Sequence, residues 1–232
     1  VTAAVEQALS RAAIYRVLAA AFAYPAPGHA DALAGSAAGA AATAAPGLRP
    51  ALQALADAAG RATDAALAEG YVKLFDRQVA CAPYEGAYGP PQLGGKAMQL
   101  ADIAGFYLAF GLTTGAQPDT DDHVGAELEF MAALALKEAW AAGRGDAGRA
   151  AIARDAQRAF LDDHLARWGG AFAARLLELE PTGVHAAAAR LLARWLADEC
   201  ARLSVVPRPL GGPAPADEAP LICPMAGTPE TP

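Results

Sequence analysis

The sequence predicts an all-α protein: a single-domain helical bundle of about eight or nine helices over residues 1–203, followed by a proline-rich extended tail over 204–232. Three observations predict it. Alanine and leucine dominate and β-branched residues are sparse, which favours helix because alanine loses no side-chain entropy on helix formation. Apolar residues recur three and four apart between Gly and Pro breaks. No stretch alternates apolar and polar residues as a half-buried strand would.

The first helix is expected over about 5–23, where Ile14, Val17, Leu18, Ala21 and Phe22 share one face and Pro25 and Pro27 end it. Residues 28–46 are small and alanine-rich, with Gly35 and Gly39 weakening a short helix. Pro50 opens a helix that Gly60 closes. Thr63 caps the next, which carries Leu67, Tyr71, Leu74 and Phe75 and ends near Asp76. Three prolines and four glycines make 78–95 a loop.

A helix over 96–110 follows, seamed by Leu100, Ile103, Tyr107 and Phe110. The next starts at Thr120 or Asp121 and runs to about Ala142, with Val124, Leu128, Met131 and Ala135 as its stripe. A helix over 146–168 carries Ile152, Phe160, Leu161, Leu165 and Trp168. Gly169-Gly170 reads as a hinge or turn, with a shorter helix to Pro181 beyond it. Thr182 caps the last helix, over 183–203. The segment 204–232 has eight prolines and three glycines, which rules out a regular helix. Its one sticky patch is Leu221-Ile222-Cys223-Pro224-Met225.

A net charge of −7 disfavours nucleic acid, whose phosphates need clustered Lys and Arg, and suits a basic partner. Three scattered cysteines (Cys81, Cys200, Cys223) and four histidines give neither a disulfide framework nor a zinc spacing, and fit a reducing cytoplasm. Cys223 is the more accessible thiol by context. The apolar run 12–23 is broken by Tyr15 and Arg16 and is too short to span a bilayer. It reads as a core helix, not a signal peptide, and no stable membrane insertion is expected. The phosphate-cradling, nucleophile-elbow and zinc-protease motifs are absent.

Most of the unusual polar residues fall in two clusters. One is Pro83-Tyr84-Glu85-Gly86-Ala87-Tyr88, in the loop; the other is Asp121-Asp122-His123 with Glu127, at a helix start. Acids near a helix N-terminus meet the positive end of its dipole, and His123 and Glu127 lie i,i+4 on one face. Tyr84 and Tyr88 can pin the loop to the helices. Alternatively Tyr84, Glu85, Asp122 and Glu127 line one acidic, partly aromatic surface fit for an arginine fork. A further reading is a small helical metal-binding protein or enzyme using His123, Glu127 and Glu85. His164 and Trp168 read as a packing stripe with a partly exposed His.

The spacing Tyr71-x-x-Leu74-Phe75, then Ala82-Pro83-Tyr84-Glu85-x-x-Tyr88, then Asp122-His123-x-x-x-Glu127-Leu128-x-Phe130-Met131 resembles the TorD/DmsD/NarJ chaperones. Arg11-x-x-Ile14-Tyr15-x-x-Leu18 and Phe160-x-x-x-His164-Leu165-x-x-Trp168 are similar to other helices of that family. The resemblance implies a cytoplasmic, non-enzymatic maturation protein without a resident cofactor or metal. Its implied partner is the catalytic subunit of a DMSO-reductase-class molybdenum enzyme, bound with its N-terminal leader peptide, often twin-arginine, until molybdopterin is inserted. Tyr84, Glu85, Tyr88, Asp121, Asp122, His123 and Glu127 would then form or flank the leader site, on a monomer or dimer. The family often carries Ser after the Pro-Tyr-Glu run, where this chain has Gly86.

Overall fold

A computed structural model describes residues 2–76, 80–89, 95–113 and 120–211. Parts of the loop at 78–95, and the tail patch with Cys223, fall outside the described residues. The helices are α1 (Ala3–Ala21), α2 (His29–Thr43), α3 (Arg49–Gly60), α4 (Asp64–Tyr71), α5 (Gly95–Ala109), α6 (Val124–Gly143), α7 (Ala147–Phe160), α8 (Ala166–Leu179) and α9 (Val184–Leu203). No strand occurs among the described residues; a single isolated bridge joins Tyr84 to His123. No helix among them is long and apolar enough to cross a membrane.

α1 lies along α6 and against α2 and α9; α2 packs on α3, α6 on α7, and α8 on α9. The periodic residues named above explain this order. Ile14, Val17 and Leu18 of α1 and its C-cap Phe22 are buried in one continuous cluster with Leu128, Met131, Phe160, Trp168, Phe172, Leu191 and Leu192. Each such side chain contributes about 1.5–3 kcal/mol when fully buried. Thr63 caps α4 as expected, its hydroxyl accepting from Ala66 N at 3.2 Å.

Polar groups also tie the bundle together. The Arg11 guanidinium of α1 donates to Glu199 of α9 (Nη2 to Oε2, 2.8 Å) and to Glu138 of α6 (2.9 Å). Tyr15 adds its hydroxyl to Glu199 at 3.0 Å, and Arg202 donates to the same carboxylate at 2.7 Å. Gln157 of α7 donates to Glu138 at 3.0 Å and accepts from Arg11. Four helices are thus joined through buried charge in which every partner is matched, the condition under which burial of charge is tolerated.

Several boundaries differ from the sequence expectation. α6 begins at Val124, three or four residues late, because His123 is its N-cap: ring Nδ1 accepts from Gly125 N at 3.0 Å. Gly169-Gly170 is no hinge. Helix continues from Ala147 through a π turn at Leu161–Leu165 into α8. Gly169 is there because α8 crosses α9 closely: a Cβ on it would sit 2.7 Å from Leu196 Cδ1. A second π turn, Val72–Asp76, follows α4. Gly183, at φ +92°, takes the N-cap of α9 that Thr182 was expected to fill. Ile152 faces solvent at 61 % exposure, outside the packed stripe of α7. After Leu203 the chain is extended yet docked: Leu210 N donates to Arg167 O at 2.9 Å, and Arg167 Nε donates to Arg208 O at 3.1 Å.

Candidate functional site

The loop and the start of α6 meet through the backbone. Val124 N donates to Pro83 O at 2.8 Å and Glu85 N to Asp122 O at 2.9 Å. Pro83 carries no N–H, so its unit contributes only the acceptor that the first turn of α6 needs. Asp122 then secures the next residue: its Oδ2 accepts from Gly86 N at 3.1 Å, while Oδ1 accepts from the Thr120 hydroxyl. The departure at Gly86 fits this closeness. A Cβ there would lie 3.0 Å from Asp122 Oδ2 and 3.4 Å from Lys96 Cε.

The side chains that converge on this junction come from distant parts of the chain. Glu85 Oε2 lies 3.1 Å from His164 Nδ1, a hydrogen bond in which the ring nitrogen donates. His164 Nε2 lies 3.4 Å from Asp102 Oδ2 of α5. Trp168 Nε1 donates to Glu127 Oε2 at 3.2 Å. Burial, the nearby charge of Glu85 and that of Asp122 push the Glu127 carboxyl well above the ordinary range, against the opposing hydrogen bond from Trp168. A protonated Glu127 can donate its proton toward Glu85, so the two acids share one site without two full charges.

Of the residues singled out from the sequence, Glu85, Asp122, His123 and Glu127 are brought together, each 3 % exposed or less. They therefore do not line an open acidic surface; the carboxylates lie beneath it. Tyr84 is half-buried with its ring 5.2 Å from that of His123. Tyr88 is buried on Trp168, 5.2 Å between centroids, and its hydroxyl donates to Ala82 O at 3.1 Å. Asp121 is half-buried, and its carbonyl accepts from the Tyr107 hydroxyl at 2.8 Å. The sequence reading missed two members. His164 is buried at 3 %, not partly exposed, and Trp168 is a hydrogen-bond donor as well as core. The signal for both was their i,i+4 spacing behind Phe160, which the π turn at Leu161–Leu165 tunes to point inward.

The arrangement offers buried carboxyl oxygens beside His164, whose ring packs against Phe106 and Phe160. That is a setting for a cationic fork. His123 spends its Nδ1 on the helix cap, and no group of three or more His, Cys, Asp or Glu that could hold a metal occurs among the described residues.

The sequence matches the family model described as nitrate reductase delta subunit over residues 41–174. The chain belongs to that family, the TorD/DmsD/NarJ-type maturation chaperones. The matched span contains the loop, α5, α6 and the His164–Trp168 turn, the whole of this site. A crystal structure from Archaeoglobus fulgidus, described as that of a redox enzyme maturation protein, shares the fold. The similarity has a TM-score of 0.54 at 20 % identity and covers 80 % of this chain and 93 % of that one. No curated protein matches the sequence.

Proposed function

We propose that this family member is a cytoplasmic, non-enzymatic chaperone for a molybdenum enzyme of the DMSO reductase class. It binds the apo catalytic subunit through an N-terminal leader bearing arginines and an apolar run, and holds it until molybdopterin is inserted. The observation that carries the reading is the convergence of Glu85, Asp122 and Glu127, from a loop and a helix start, inside the span matched by the family. Arginine presents five donors in a planar fork and is weakly hydrated, so it suits a buried carboxyl cluster better than lysine does. Exposed Glu–Arg pairs would give only about 0–1 kcal/mol each. Removing one partner of a desolvated pair costs about 2–5 kcal/mol.

Titration calorimetry with a synthetic peptide carrying two arginines and an apolar run tests this. Glu85→Ala and Asp122→Ala should each weaken binding at least about 30-fold, the equivalent of about 2 kcal/mol. Unchanged affinity in both, with helicity intact, would remove the site. No binding by the unmodified chain would remove the leader reading.

A further inference from the structure

If the acid cluster is the leader site, something must uncover it, because every carboxylate in it is inaccessible. The inference here rests on the leader reading above and concerns how that site is opened. The elements around it hold unequally. Twelve of the twenty residues of α6 are buried and twelve of the twenty of α9, but only Ile103 and Tyr107 of the fifteen in α5. A helix with few buried side chains opens ahead of well-buried ones, below the free energy of global unfolding. Met98 and Leu108 of α5 are 76 % and 63 % exposed, so two of its large apolar side chains add nothing to its hold on the bundle.

The inward side of α5 lies over the site. Its Phe106 ring stands 5.4 Å from His164 and 5.3 Å from Phe160. Asp102 reaches His164 Nε2 from the side opposite Glu85. The Tyr107 hydroxyl ties the helix to the Asp121 carbonyl, and its ring lies 4.7 Å from Phe130. Near Lys96 the first turn of α5 faces Gly86.

We propose that α5 is a displaceable cover, and that a cationic leader binds by taking its place over Glu85, Asp122 and His164. Lifting α5 frees His164 Nε2 and leaves the Glu85 carboxylate reachable. It also bares the rings of Phe130 and Phe160 beside the acids. A segment with arginines followed by an apolar run matches that sequence of surfaces: forks to the carboxylates, apolar side chains to the phenylalanines. The free chain keeps the acids dry, and unpaired apolar surface is offered only when the cover moves.

Hydrogen exchange on the full chain, followed by mass spectrometry, tests the cover with and without the two-arginine peptide. In the free chain the α5 amides should exchange at least about ten-fold faster than those of α6 and α9, and the peptide should change exchange in α5 more than in any other helix. Phe106→Ala should speed α5 exchange further and tighten peptide binding several-fold. Asp102→Ala, at an exposed position that the core does not need, should do the same to a smaller degree. Exchange of α5 in step with α6 and α9 would overturn the cover, as would unchanged α5 exchange and affinity in both variants. Fast, independent α5 exchange in a chain that binds no peptide supports the cover and removes the leader reading, so the two fail separately.

Discussion

The indole N–H of Trp168 donates to the carboxyl of Glu127 at 3.2 Å, with both side chains fully buried. The two residues come from different helices and lie at the centre of the acid cluster. Burial holds the Glu127 carboxyl well above its ordinary range, and its neighbours add to the effect. The charges of Glu85 from the loop and Asp122 before α6 act on it in the same direction as burial, and the indole N–H of Trp168 opposes them.

Glu127→Gln should therefore raise stability at neutral and mildly alkaline pH. The folded-state pKa of Glu127 is raised above its ordinary 4.5. The folded chain thus holds this proton more tightly than the unfolded chain. The associated stability is fully present below the unfolded value and is lost as pH rises through the folded one. Glutamine keeps an acceptor for Trp168 and carries no charge to bury. Urea unfolding should show a gain of about 1–2 kcal/mol at pH 8 and little difference at pH 4. A loss at pH 8 would mean that Glu127 is stabilised as a carboxylate.

The Arg11 network has the opposite sign. Burial works to raise Glu199, but hydrogen bonds from Arg11 and Arg202 outweigh it and hold the carboxylate below its usual range. Burial is likewise outweighed at Glu138 by Gln157, Arg154 and Arg11. Stability from these groups is present above the unfolded value and is lost as pH falls through the folded values. Glu199→Ala, which leaves Arg11 buried without its main partner, should cost about 3–5 kcal/mol at pH 7 and blunt the acid-unfolding transition. Denaturant melts at pH 7 and pH 3 check both statements.

Adjacent glycines in α8 should respond differently. Gly170 has open space where a Cβ would go, so Gly170→Ala should stabilise by about 0.5–1 kcal/mol through helix propensity. Gly169→Ala should forfeit that gain, because Leu196 must turn away from the new methyl group. Pairing each change with Leu196→Ala in a thermal-unfolding cycle should show coupling at 169 and none at 170.

Tyr107→Phe should cost about 1 kcal/mol, the price of leaving the Asp121 carbonyl without its donor, and should loosen α5 before the rest of the bundle. Chemical denaturation gives the first number, and amide exchange within α5 gives the second effect.

The helices were legible where local chemistry decides them. Pro25, Pro50 and Thr63 set boundaries with residues that forbid or cap a turn, and the helix ends they mark fall within two residues of expectation, although α4 gives way to a π turn at Val72 before the expected end near Asp76. Gly169-Gly170 misled because the meaning of Gly169 is tertiary: it marks a close crossing with α9, which no local pattern encodes, while Gly170 faces open space. The start of α6 was misplaced because acids before a helix resemble acids in its first turn, and only the His123 cap separates them. Within the site, Tyr84, Glu85, Asp122, His123 and Glu127 could be picked as unusual residues, and their meeting depends on a backbone bridge 39 residues long in sequence, from Tyr84 to His123. Burial of the carboxylates was not legible, since it depends on His164 and Trp168, brought in by the π turn at Leu161–Leu165 and by α8 from 79 and 41 residues away.

The most direct measurement is affinity capture of the full chain from its native cells, with the co-purifying proteins identified by mass spectrometry. A molybdenum-enzyme catalytic subunit should be retained by the unmodified chain and lost with Glu85→Ala and Asp122→Ala. Retention of that subunit by both variants would contradict the site, and capture of no such subunit by a correctly folded chain would contradict the chaperone function itself.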